Sequence, residues 1–120
     1  MAALGGLSWC VVHRNNVGRA NHFDASTGRV DRVAYGVGGV GAPDLLVELE
    51  TAPGSGRWLA CWLEVKALDG ELSVDQRRWH EAAQRRGRHV YVVRSASDAL
   101  AAVTAVRMAG AGNTGSGRAA

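Results

Sequence analysis

The stretch from Trp58 to Val93, WLACWLEVKALDGELSVDQRRWHEAAQRRGRHVYVV, contains three elements in series. Residues 58–65 are an almost unbroken apolar run, the composition of a central strand. Asp69-Gly70 then supplies a turn, and Ser73 precedes Gln76 at the spacing of an N-terminal capping box, so a helix is expected to begin there. Val74, Trp79, Ala82 and Ala83 give that helix a partial apolar stripe. Gly87, directly after Arg85 and Arg86, marks its end. The β-branched run 89–93 reads as another strand. A strand–helix–strand order needs a crossover connection, and a crossover joins parallel strands.

Upstream, the run 44–49 is apolar with acids at its ends and reads as a strand. The turn-forming residues Pro53, Gly54, Ser55 and Gly56 link it to the central strand as an antiparallel hairpin. Residues 36–41 are a glycine-rich loop leading to Pro43. No Lys-Ser/Thr follows those glycines and no helix opens behind them, which excludes a nucleotide-binding P-loop. Residues 8–13 read as a first strand running into Arg14-Asn15-Asn16, and 30–37 as a second, with a turn around Asp24, Ser26, Thr27 and Gly28.

Downstream, Ser97 is placed to cap a closing helix with Leu100, Val103 and Val106 inward. From Ala109 the chain is Gly, Ala, Ser, Asn and Thr with one Arg, which reads as a disordered tail over 109–120 behind a single domain at 1–108. The expected fold is therefore α/β with α+β character: a central mixed sheet of about five strands flanked by helices.

Composition bounds the function. The formal net charge of +3 is too small by itself to imply a polyanionic partner, but the cations are uneven. Arg77, Arg78, Arg85, Arg86, Arg88 and His89 lie close together, and such a run is a solvated helix face unless a catalytic site adjoins it. Charges or glycines interrupt every apolar run, so none approaches the roughly 20 apolar residues of a membrane span. No basic segment or cleavage site accompanies the apolar start, and a cytoplasmic protein is expected. Cys10 and Cys61 lie in strands with no second pair, so free buried thiols are expected rather than a zinc site.

Glu64 and Lys66 are two apart on a strand and leave the same face, with Val65 opposite. A bare Glu-x-Lys also fits a surface ion pair at a strand end. Asp44 changes the balance, because positions 44 and 66 are equidistant from Ser55 in the hairpin, so the three charges converge if the register is symmetric. Two carboxylates with the carbonyl of Val65 make an oxygen-rich half-shell suited to magnesium, with manganese as a substitute. Such an ion supports phosphodiester hydrolysis, and Lys66 would orient the attacking water or stabilise developing charge.

The string Gly41-Ala42-Pro43-Asp44, then Leu63-Glu64-Val65-Lys66, then Gly70-Glu71-Leu72-Ser73 and Gln76, resembles the VRR-NUC branch of the PD-(D/E)xK nuclease superfamily. Arg14-Asn15-Asn16 with Gly18 is similar to the arginine–asparagine stretch of small phage-type members. The resemblance implies a restriction-endonuclease-like core, Asp44 and Glu64 as metal ligands, Lys66 as the catalytic lysine, and Gln76 facing the site. It departs at the beginning, where many members have a helix bearing a glutamate and Met1 to Leu7 contain no acid.

Two further roles stay open in the sequence: Gln76 also caps the helix, and His80, one turn on, either reaches DNA or packs. Arg14, Asn15, Asn16 and Arg77 are candidates for the DNA backbone, with recognition by shape rather than base edges. The expectation is a magnesium-dependent endonuclease on branched or flap DNA, with a homodimer supplying two sites. The alternative is a weak or inactive nuclease-fold DNA-binding module within a phage replication or packaging assembly.

Overall fold

A computed structural model describes the backbone of residues 2–16 and 18–113. The elements in chain order are α1 (Ala2–Gly5), β1 (Cys10–Arg14), β2 (Gly18–Asp24), β3 (Arg29–Tyr35), β4 (Leu45–Glu50), β5 (Trp58–Val65), α2 (Val74–Arg85), β6 (His89–Val93) and α3 (Ala96–Asn113). The main sheet is four-stranded and mixed, in the order β1-β4-β5-β6, while β2 and β3 form a separate two-stranded sheet. The strand expected near 30–37 thus exists but leaves the central sheet, which has four strands instead of five.

β4 and β5 pair antiparallel, and β5 and β6 pair parallel through the α2 crossover. The hairpin register runs from Leu45↔Leu63 to Glu50↔Trp58, so it is symmetric about Gly54 and not Ser55. The Glu50 carboxylate explains the shift, since it accepts the backbone N–H of Gly54 at 3.1 Å and of Gly56 at 3.0 Å and so fixes the loop. Continued by one residue, this register sets Asp44 opposite Glu64.

The sheet is covered on both faces. Leu45, Val47, Leu49, Cys61 and Leu63 pack with Val93 against Leu4 and against Ala99, Ala102, Val103 and Val106 of α3. The alternate residues Leu46 and Trp62, with Val90, meet Trp79 and Ala83 of α2. Cys10 and Cys61 are buried free thiols, and burial followed by the neighbouring Cys10 pushes Cys61 up to about 12.

The capping box is present: Ser73 Oγ accepts from Gln76 N at 3.1 Å and Gln76 Oε1 from Ser73 N at 2.9 Å. Two expectations for α3 change. Ser95, not Ser97, takes the cap position, its hydroxyl accepting from Asp98 N at 3.0 Å. Leu100 is exposed, and Ala99 and Ala102 fill the inward face with Val103 and Val106. The helix also continues through 109–113, past the boundary drawn at Ala109 from composition. Gly110 sits close against β5 there: a Cβ would stand 2.3 Å from Leu59 Cδ1. Its absence lets the last turns close on β5. Residues 114–120 of the expected tail lie outside the described residues.

Candidate active site

Strand parity builds the site. Glu64 follows Trp62 on the face of β5 that meets α2, at the end where β5 runs out into Lys66. It is 1% exposed. Asp44 stands at the head of β4, and its Oδ2 accepts the backbone N–H of Val65 at 2.9 Å. Asp44 neighbours Glu64 closely enough to act on its ionisation. Burial, and then Asp44, push the Glu64 carboxyl up to about 8, while Lys66 pulls it down. Asp44, Glu64 and Lys66 are thus brought together.

His80, on α2, is buried and not available to a DNA phosphate. Its Nε2 lies 3.6 Å from Glu64 Oε1. Burial, and then the charge of Lys66, hold the imidazole below its usual range. Neither Glu64 Oε1 nor His80 Nε2 has a hydrogen-bond partner, although both atoms are shielded from solvent. Buried polar atoms are rarely left so.

Two cavities flank Asp44. One of about 710 Å³ is lined by Arg14, Asn16, Val12, Leu45 and Val65 beside it. The other, of about 190 Å³, lies between Asp44 and Gly41 on one side and Ser73, Asp75 and Gln76 on the other. Gln76 therefore both caps α2 through its Oε1 and borders the acid. Arg77 is exposed on the same helix.

Asn15, expected at the DNA backbone, is buried instead. Its amide Nδ2 donates to Val37 O at 2.8 Å and to Pro43 O at 3.0 Å, and its Oδ1 accepts from Val37 N at 2.8 Å. Its backbone N donates to Asp44 O at 2.7 Å. Asn15 is a clasp on the glycine loop that delivers Asp44. Gly41 completes that delivery: with φ +88° it passes so close to α2 that a Cβ would stand 2.4 Å from Asp75 O. Trp79 holds the same loop, its Nε1 donating to Gly38 O at 2.8 Å.

Sequence reasoning overlooked Arg94. Its guanidinium donates to the carbonyls of Ala67 and Gly70 and so fixes the chain directly after Lys66. A lone arginine between a strand and a helix gives no signal for this. Among the described residues, no group of three or more His, Cys, Asp or Glu side chains is arranged to hold a metal ion, and α1 carries no acid.

The family model of the VRR-NUC domain matches residues 10–97, which run from the first residue of β1 into the first turn of α3. No curated protein and no solved structure matches the chain.

Proposed function

The chain belongs to the VRR-NUC domain family, a nuclease-type domain acting on DNA, and on that premise we propose a magnesium-dependent endonuclease selective for branched or flap DNA. One observation carries the reading. Glu64 is buried against Asp44 with Oε1 unpartnered and its pKa raised to about 8, a costly arrangement unless a positive charge joins it.

The donor set fits a hard divalent cation. Asp44 and Glu64 would hold magnesium, or manganese in its place, with the Val65 carbonyl as a further oxygen. Magnesium keeps several waters, so two carboxylates are enough protein charge for it. When bound, the ion neutralises phosphate oxygens and lowers the pKa of water.

The chain's own groups do the rest. Lys66 places its ammonium in the field of both Glu64 and His80, where it orients a water and opposes charge developing on a phosphoryl oxygen. Arg14 and Asn16 line the larger cavity beside Asp44 and are positioned to bind backbone phosphate. Phosphate contacts set register without reading bases, in keeping with selection by shape.

The test is nicking of a flap or junction with and without magnesium. Asp44→Asn and Lys66→Ala, each checked for folding by circular dichroism, are expected to lose at least about 100-fold in rate. Parent-like nicking by either variant removes this site from the mechanism. The acid-free α1 favours a second reading, a DNA-binding module without catalysis. That module would bind DNA through both substitutions and yield no magnesium-dependent product.

A further inference from the structure

β2 and β3 stand apart from the packed body. They pair with each other from Gly18↔Tyr35 to Asp24↔Arg29 and form their own sheet. Among the described residues, neither packs extensively against any other element. Strands of 7 residues each make an arm of about 23 Å at about 3.3 Å per residue. A two-stranded ribbon on its own is only marginally stable in water, so this one calls for a partner.

Charge and position say which partner. The ribbon, residues 18–35, carries Arg19, Arg29 and Arg32 against Asp24 and Asp31, a net of +1, and Arg14 stands just before its root at the end of β1. The turn at the tip, residues 25–28, is exposed and uncharged. At the root, Asn15 binds the backbone of Val37 through both atoms of its amide, closing the base of the ribbon. The same residue binds the backbone of Asp44. The arm therefore leaves the body at the mouth of the candidate site.

We propose that the β2–β3 ribbon is a nucleic-acid arm that lies in a groove of the duplex flanking the scissile phosphate. The major groove admits a two-stranded ribbon. An arm of about 23 Å spans about seven base pairs at about 3.4 Å each. Its arginines neutralise phosphates along that length. The inference rests on the nuclease reading for the identity of the substrate, while the arm's contribution to binding is measured apart from cleavage.

The experiment measures the affinity of the parent for a flap duplex of about 30 base pairs, with calcium in place of magnesium, between about 50 and 200 mM salt. Two variants are compared: the triple change R19Q/R29Q/R32Q, and replacement of residues 18–35 by a short Gly-Ser turn. The replacement is feasible because Gly18 and Tyr35 are cross-strand partners. Each arginine–phosphate contact contributes about 0.9 to the slope of log affinity against log salt, so the triple variant should lose about 3 in slope. The excised protein should bind about 10- to 100-fold more weakly than the parent near 100 mM salt.

Unchanged slope and affinity in both variants would overturn the arm. So would the outcome expected of a second copy as the occupant: excision halves the mass in sedimentation while the triple variant keeps the parent's slope. A parent that binds through the ribbon yet never nicks with magnesium sinks the nuclease reading alone.

Discussion

His80 Nε2 and Glu64 Oε1 face each other at 3.6 Å across the α2–β5 contact, each shielded from solvent and each without a hydrogen-bond partner. A neutral imidazole nitrogen and a carboxylate oxygen both present lone pairs, so facing one another they repel unless a proton or cation lies between. Burial, which pushes the Glu64 carboxyl up to about 8, favours a proton there. On the proposed reading magnesium would compete with that proton, which makes stability a readout of the site.

The sign of the pH dependence follows. Folding raises the Glu64 pKa from 4.5 to about 8 and lowers that of His80 from 6.5. The folded state keeps a Glu64 proton that the unfolded chain releases, so this contribution is complete below 4.5 and lost as pH rises through about 8. His80 acts oppositely, because below 6.5 the unfolded imidazole takes up a proton that the folded one refuses. The two slopes oppose each other below 6.5, leaving Glu64 alone above it. Thermal melts in EDTA should show stability falling from pH 6.5 to about 8, with a limiting slope of about 1.4 kcal/mol per pH unit. Glu64→Gln should flatten the profile, and magnesium should raise Tm more at the alkaline end. A flat parent profile in that range would show that Glu64 holds no proton.

Asn15→Ala should act on Asp44 without touching it. It strips three side-chain hydrogen bonds from Val37 and Pro43. Leaving those backbone groups unpaired, part-buried at Val37 and buried at Pro43, costs about 1–3 kcal/mol. Urea unfolding measures the loss. Asn15→Asp keeps the acceptor for Val37 N–H but sets a buried carboxylate oxygen against the Val37 and Pro43 carbonyls, so it should cost at least as much as the alanine variant. Wild-type stability in Asn15→Ala would mean that the loop is held elsewhere.

Gly41→Ala and Gly39→Ala form a controlled pair. Both glycines have positive φ, +88° and +82°, but a Cβ at Gly41 meets the Asp75 carbonyl at 2.4 Å, whereas one at Gly39 meets nothing within 4 Å. Gly39→Ala should cost only the left-handed strain, about 1–2 kcal/mol. Gly41→Ala should cost more and also weaken magnesium binding, since the loop must retreat from α2 with Asp44 on its end. Equal effects of the two in calorimetry and metal titration would refute the close approach.

What the sequence disclosed, and what it hid, divides along physical lines. Local chemistry was readable: the Ser73–Gln76 box, the apolar run of β5 and the crossover to β6 each follow from a handful of neighbouring residues. The meeting of Asp44 with Glu64 was readable too, though the register centred one residue away because the Glu50 carboxylate clamps Gly54 and Gly56. Hidden were matters decided at long range. Nothing in the Arg14-Asn15-Asn16 string says that the middle residue turns inward to bind Val37, or that His80 is buried against Glu64. Gly110 resembled a tail residue and proved to be a packing contact with Leu59. The strand at 29–35 was legible as a strand, but its departure from the central sheet was not, since alternation within a strand does not name its partner.

The double position of Gln76 yields a final separation. Its Oε1 accepts from Ser73 N–H, while the residue also borders the cavity beside Asp44. Ser73→Ala removes the cap hydroxyl, with an expected loss of about 1 kcal/mol. Gln76→Ala removes the other half of the box and the side chain beside the acid. If capping is the whole role of Gln76, the two variants should lose similar stability, and neither should alter the rate per folded molecule. If the side chain also serves the site, Gln76→Ala alone should slow nicking at saturating DNA, and Gln76→Glu, which keeps the capping oxygen, should not restore the rate. Comparing kcat on one flap substrate with the unfolding midpoints of the same preparations separates the roles, because a cap works through stability and a group beside the acid works through the rate.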